Sequence, residues 1–453
     1  MTLQSDRLSL LQHIVANLDV EAPVEGTITQ ASLNATPFAK AKIGPMGTVG
    51  ILKEAGEALT DLAGNIFGGS QTYQRGVTFK DVFDELSDLI IFNFVEKRTV
   101  VPTITDLTFV EAELEKWFQG KVASHLLYIP CRLSPWPAPS FSVGPVTFVY
   151  VQEFAEHERK RTGAMFDITY GEMFKGMALH SATWIATVEV GGCMPNRAQE
   201  RGNLAVDIAI AGIQLIVPLD HSAGMTRLTA RSVPAALQTV TRSNGHTSTS
   251  VTNQEPGLSM GDGTFNHFLT SKQALLKAIS PRVSAYVDGF GTFPVLEQAW
   301  ADSAYWFHEA LAEPLDTIAV PKLETAIEVL LRAESTSGSK SRVLKAIHAF
   351  YGLTKGQLIN PKSQITVEKF ATGFVTDRSR ILHGTWSTLN YSLRDSRPNL
   401  TQLVLGLLAR YALELERYGT EVGATDDAEA FLNSVIAYRQ TAANVSPPPP
   451  AQP

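Results

Sequence analysis

ITVEKFATGFVTDRSRILHGTWSTLNYSLRD, residues 365–395, is the stretch on which the reading of the C-terminal half turns. Val367, Phe370, Ala371, Phe374, Ile381 and Leu382 recur at three- and four-residue spacing, so the pattern predicts a helix over 367–382 with one apolar face. Arg378 falls inside that stripe. A guanidinium at a position reserved for the core is costly unless it meets a counter-charge, a partner or a ligand. His383 follows five residues later, directly before Gly384, a residue suited to ending the helix.

The helical period continues on both sides. Leu323, Ala326, Ile327, Leu330 and Leu331 carry it upstream, and Leu400, Leu403, Val404, Leu407, Leu408 and Tyr411 carry it downstream. DSAYWFHEAL (302–311) and SRVLKAIHAFY (341–351) supply two further helices, so residues 267–440 read as an all-α bundle of antiparallel helices. The closing SPPPPAQP has nothing to bury, and residues 441–453 are expected as an extended tail. Between 221 and 266, SNGHTSTSVTNQEPGLSMGDGT lacks apolar periodicity and reads as a loop or linker at a domain boundary.

Residues 1–220 read as an α+β domain. Leu8, Leu11, Ile14, Val15 and Leu18 make a short amphipathic helix, and 51–151 mixes helical patterns with β-branched and aromatic runs such as LIIFNFVEKRTVV and SHLLYIPCRLSPWPAPSFSVGPVTFVYVQEF that suggest strands. TWIATVEV (183–190) is a further strand, followed by a turn at Gly191 and Gly192 and a run from Arg197 that reads as helical before turning extended. The fold class is therefore α+β: a mixed α/β-containing N-terminal domain followed by an all-α C-terminal one.

Composition narrows the function. The 453 residues include 44% hydrophobic and 18% charged side chains, a globular balance that argues against a disordered chain. With 38 Lys plus Arg against 45 Asp plus Glu, the net charge of −7 provides no whole-protein field for nonspecific nucleic-acid binding, so any such site must be local. Two cysteines, Cys131 and Cys193, exclude a disulfide framework and a zinc site of several thiolates, and fit a reducing cytoplasm. The most apolar run, IAIAGIQLIVPL (208–219), is about half of the roughly 20 residues a membrane span needs.

Several motif fragments lack their context. Gly338-Ser339-Lys340-Ser341 has no preceding strand or upstream glycine for a phosphate loop, and Gly257, Ser259 and Gly261 lie in the polar linker without the strand a nucleophile elbow needs. His308-Glu309 is followed by Ala312 where a zinc protease needs its second histidine. Gly69-Ser70 with Asp81 and Asp84 fits nucleotidyl transfer poorly, because the D-x-x-D spacing suits a helix face rather than a strand.

The Arg378-Ser379-Arg380-Ile381-Leu382-His383-Gly384 string resembles the HEPN superfamily, specifically its Apea-like branch, whose motif is Arg, four to six residues, then His. DSAYWFHEAL, KLETAIEVLLRAES with Glu328, and SRVLKAIHAFYGL resemble the family's earlier helices, so the likeness spans roughly residues 295–420. The resemblance implies metal-independent RNA cleavage without a cofactor, by a homodimer, in a toxin-like or antiviral phage-defence enzyme held in check by its N-terminal domain. In-line attack by a ribose 2′-hydroxyl needs a proton acceptor, for which His383 is the candidate since imidazole titrates near neutral pH. It also needs a cation for the developing charge, for which Arg378 has the bidentate fork. Ser379 occupies a position where the family commonly carries a polar residue.

On a straight helix the two side chains project about 140° apart, so convergence on one phosphate requires either a loosened helix end near Gly384 or two copies of the helix. Arg380, Arg394, Arg397, Lys340, Arg342 and Lys345 are candidate RNA-binding cations, opposed by Asp377 and Asp395. The competing reading is a non-catalytic HEPN-like dimerisation or nucleotide-binding module in which Arg378 pairs with Glu328 or Asp377 and His383 caps a helix end. A trigger would act through the N-terminal portion, at Trp136 and its proline-rich neighbours, a segment that reads equally well as a packed loop.

Overall fold

The computed structural model describes residues 3–21, 38–44, 47–97, 99–229, 236–244, 246–253, 255–257, 260–289, 291–333, 336–359, 364–393 and 396–445. Two compact units divide the chain: Met1–His125 with Val190–Glu200, and Leu126–Glu189 with Arg201–Pro453.

The first unit holds helix α1 (Leu3–Ala16), strands β1 (Leu18–Glu21), β2 (Phe38–Gly44) and β3 (Gly47–Leu52), and helices α2 (Gly56–Gly68), α3 (Gln71–Gly76), α4 (Phe79–Phe94) and α5 (Ile104–Lys121). The strands form an antiparallel sheet in the order β1-β3-β2. The predicted stripe of α1 is its buried face, where Leu11, Ile14 and Val15 meet Leu59 and Leu62 of α2 and Leu107 of α5. LIIFNF is helical rather than extended. A Thr78–Asp81 capping box starts α4, and Leu86, Ile90, Ile91 and Phe94 then share its buried side. Asp81 and Asp84 lie on this helix, as their spacing indicated.

The longer strands β4 (Ala123–Arg132) and β7 (Trp184–Cys193) join β5 (Phe141–Val143), β6 (Val146–Tyr150) and β8 (Thr226–Arg227) in a five-stranded sheet of order β5-β6-β7-β4-β8. Helices α6 (Val151–Thr162) and α7 (Phe166–Leu179) cross between β6 and β7. Helix α8 (Pro195–Gln214) stays helical through IAIAGIQ, correcting the expected turn to extended structure. Residues 205–217 are buried on every side, so their unbroken apolar run carries no period by which helix and strand are told apart.

The stretch 221–266 is likewise more ordered than a linker. It begins within helix α9 (Leu219–Ser222) and contains a hairpin of β9 (Ala236–Ser243) and β10 (His246–Asn253) in continuous register from Ser243↔His246 to Ala236↔Asn253. Asn244 between them has φ 49°, the left-handed backbone that two-residue hairpin turns require.

From α10 (Thr264–Ser271) onward the chain runs through helices α11 (Gln273–Asp288), α12 (Pro294–Leu311), α13 (Asp316–Leu330), α14 (Thr336–Tyr351), α15 (Val367–Leu382), α16 (Ser396–Tyr418) and α17 (Ala428–Val445). The expected bundle is present, and α15 has the predicted bounds. Helix α17 continues past residue 441 to Val445, while the proline tail, 446–453, lies outside the described residues. The bundle is not separated from the sheet near residue 220. Phe265 packs edge-on against Trp184 and Phe141, a Cβ on Gly212 of α8 would meet Ile279 of α11 at 2.9 Å, and the His308 ring of α12 lies 3.1 Å from the Gln214 side chain. One shared core places both sides of the expected boundary in the second unit. Among the described residues, no helix is long and apolar enough to cross a membrane.

Candidate functional site

Helix α15 carries the motif between α13, α14 and the start of α16. Thr366 caps its N-terminus, accepting from Lys369 N–H at 3.2 Å, and Val367, Ala371, Phe374 and Ile381 bury its stripe. The helix ends where the sequence indicated. His383 is the C-terminal cap, Gly384 adopts φ 68°, and Gly384 N–H donates to the Ile381 carbonyl at 3.0 Å.

Arg378 lies within the stripe and is half-buried. Its Nη1 donates to Glu328 Oε1 of α13 at 2.7 Å, with side-chain exposures of 27% and 16%. Arg378 Nε is buried without a hydrogen-bond partner. One turn before Glu328 on the same helix, Glu324 is 0% exposed, and neither of its carboxylate oxygens has a hydrogen-bond partner. Burial pushes the Glu324 carboxyl up to about 8, opposed by the Arg378 guanidinium and reinforced by Glu328 and Asp377. Asp377 is also raised by burial, against the Ser396 hydroxyl that donates to it at 3.3 Å and the charge of Arg380.

The structure does not bring Arg378 and His383 onto one face of one copy. Arg378 turns toward α13 while His383 is exposed at the helix end, in keeping with the rotation between them. Ser379 is half-buried, and its carbonyl accepts from His383 N–H at 3.0 Å.

The expected basic cleft is not assembled either. Lys340 pairs with Glu368 at 3.4 Å, Lys345 pairs with Glu429, and Arg342 Nη1 donates to the Leu331 carbonyl at 2.6 Å. Arg397 meets Asp316 at 3.1 Å and the Ala310 carbonyl at 3.2 Å. Lys340, Lys345 and Arg397 lie on three-dimensional neighbours of opposite charge that their sequence clustering does not reveal, and Arg342 is taken up by a backbone carbonyl. Arg394 and Asp395 lie outside the described residues. Arg380 is exposed, with its guanidinium 4.7 Å from the Trp386 ring centroid. Among the described residues, no group of three or more His, Cys, Asp or Glu is placed to hold a metal ion.

Two features escaped the sequence reading. Glu324 occupies a stripe position between Val320 and Ile327, and that placement was a usable signal of the same kind that singled out Arg378. Trp386 and Tyr391 stack with centroids 4.0 Å apart, in an irregular segment where periodicity offers no signal.

In the other candidate region, Trp136 N–H donates to Ser134 Oγ at 3.1 Å, and the Ser134 carbonyl accepts from Thr183 Oγ1 at 2.7 Å and Trp184 Nε1 at 2.9 Å. These bonds describe a packed loop. A surface cleft lined by Pro137, Tyr150, Glu153, Arg159 and Phe174 opens beside it. Comparison of the chain with protein-family models, curated proteins and solved structures returns no significant match.

Proposed function

We propose that helices α12–α16 form an HEPN-like, metal-independent endoribonuclease module that acts as a homodimer on RNA in the reducing cytoplasm, as a toxin-like or phage-defence enzyme restrained by the N-terminal part of the chain. One observation carries this reading: an arginine inside an apolar stripe, five residues before an exposed histidine at a glycine-terminated helix end. Glu328 takes up Nη1 and fixes the direction of the guanidinium, Nε is buried, and Nη2 is the nitrogen left to meet a phosphate oxygen.

In the reaction this reading describes, His383 accepts the proton of a ribose 2′-hydroxyl as its oxygen attacks the adjacent phosphorus. The bond from phosphorus to the 5′-oxygen breaks, the leaving oxygen takes up a proton, and the product carries a 2′,3′-cyclic phosphate. Arg378 offsets charge on the non-bridging oxygens. Since the two side chains diverge on one helix, the reading pairs Arg378 and His383 from two copies of α15. The trigger is assigned to the cleft beside Trp136.

The test is product chemistry. Purified protein is expected to cut an RNA oligonucleotide to fragments ending in 2′,3′-cyclic phosphate and to leave DNA of the same sequence intact. Cleavage of both polymers, or 3′-hydroxyl products, contradicts the assignment. A second reading, a non-catalytic HEPN-like dimerisation or nucleotide-binding module, is favoured by the Arg378–Glu328 pair and by His383 at the helix cap, and the neutralisation of Lys340, Lys345 and Arg397 through internal pairs favours its dimerisation form. On that reading neither polymer is cut.

A further inference from the structure

The segment after Gly384 folds back on the end of α15 and is pinned there. Trp386 N–H donates to the Arg380 carbonyl at 3.0 Å, Tyr391 N–H to the Ser387 carbonyl at 3.1 Å, and Thr317 Oγ1 of α13 to the Thr388 carbonyl at 2.5 Å. Leu393 is buried where the segment rejoins the bundle. The loop is thus fixed by the same two helices that carry Glu328 and Arg378.

What the loop presents is planar and accessible. The Trp386 and Tyr391 rings stack with an interplanar angle of 20° and centroids 4.0 Å apart, and the Arg380 guanidinium lies 4.7 Å from the Trp386 centroid. Tyr391 is the more exposed ring at 42%, with Leu389 79% and Leu382 61% exposed nearby in sequence. Two stacked aromatic rings with a guanidinium against one of them and the other ring accessible are suited to receive another flat group. Unpaired nucleobases are recognised on such surfaces because every base has a π-face, and arginine planes serve alongside aromatic ones. The exposed polar residues Ser387 and Asn390, together with the cationic Arg380, suit a charged, solvated strand better than a dry protein contact.

We infer that Arg380, Trp386 and Tyr391 form a nucleobase-stacking subsite that takes one unpaired base of single-stranded RNA on the outer face of Tyr391. Arg380 lies three residues before His383 on α15, and Trp386 and Tyr391 lie three and eight residues after it on the pinned loop, so a base held there sets which phosphate of the strand reaches the histidine. The identity of the ligand rests on the ribonuclease reading.

The test uses the full-length chain carrying His383→Ala, which binds without cutting, and fluorescence anisotropy of a labelled single-stranded RNA. Adding Tyr391→Ala is expected to weaken binding about tenfold, within the span of base–aromatic stacking, whereas Tyr391→Phe stays within about twofold. An abasic site scanned along the RNA is expected to reproduce the loss at one position and to add nothing in the Tyr391→Ala background. Equal affinities for the three proteins, indifference to every abasic position, or no RNA binding overturns the subsite. A change of oligomeric state on Tyr391→Ala at unaltered RNA affinity also overturns it, assigning the surface to a second copy. Cleavage by the native chain is read separately. Cleavage together with Tyr391-independent binding removes the subsite and keeps the nuclease, whereas Tyr391-dependent binding without cleavage does the reverse.

Discussion

At Glu324 the molecule carries a carboxyl with no exposed surface and no hydrogen-bond partner, one turn from the Glu328 carboxylate that holds Arg378. The environment raises this group to about 8, chiefly through burial. The unfolded chain loses the proton near the ordinary carboxyl value, so between there and about pH 8 the folded protein binds a proton that the unfolded chain has released. Stability therefore falls as pH rises through that window and levels off above it. Glu324→Gln has no proton to lose and is expected to flatten that part of the profile, as read from urea midpoints at about pH 5 and about pH 8.5. An unchanged slope would show that Glu324 does not titrate in this way. The neighbouring pair behaves differently: Glu328→Gln leaves Arg378 half-buried without its counter-charge and is expected to cost about 1–2 kcal/mol in chemical denaturation. Arg378 was legible in the sequence because a charge interrupts an apolar stripe. Glu324 interrupts the stripe of α13 in the same manner, but nothing linear reveals that the two interruptions face one another.

At the scale of elements, strong helical period was the reliable signal, and α15 and the helices around it follow it closely. Failures came where period was absent or ambiguous. The interior of α8 is buried all round, and LIIFNF belongs to a helix whose start is set by a capping box rather than by its β-branched residues. The β9–β10 hairpin was marked locally by Asn244-Gly245 between threonine- and valine-bearing segments, a turn signal outweighed by the polar composition around it. Long-range capping is beyond any local reading. The start of α12 is satisfied by Asp426, which accepts from Val295 N–H at 2.8 Å and Leu296 N–H at 3.0 Å. Asp426→Ala is expected to lower stability by about 1 kcal/mol, with Asp426→Asn intermediate, in thermal or denaturant unfolding. An unaltered midpoint in the alanine variant would mean that water replaces the cap at no cost.

For the whole molecule, composition placed a boundary near residue 220 that packing does not honour. The helices after residue 264 share a core with the sheet through Phe265 against Trp184 and Ile279 against Gly212, and a side-chain contact joins His308 to Gln214. A fragment spanning 264–453 leaves Phe265 and Ile279 uncovered and is expected to lack cooperative unfolding and near-ultraviolet circular dichroism, whereas a well-packed isolated fragment would contradict the shared core. On the proposed nuclease reading, RNA is cut at the Arg378–His383 motif without a metal ion. Its most direct test is cleavage of a mixed tRNA and mRNA pool by the purified full-length protein in EDTA, beside Arg378→Ala and His383→Ala variants shown by circular dichroism to remain folded. Cleavage that persists in EDTA and is lost in both variants is the expected result, and cleavage that survives either substitution, or vanishes with the chelator, contradicts it.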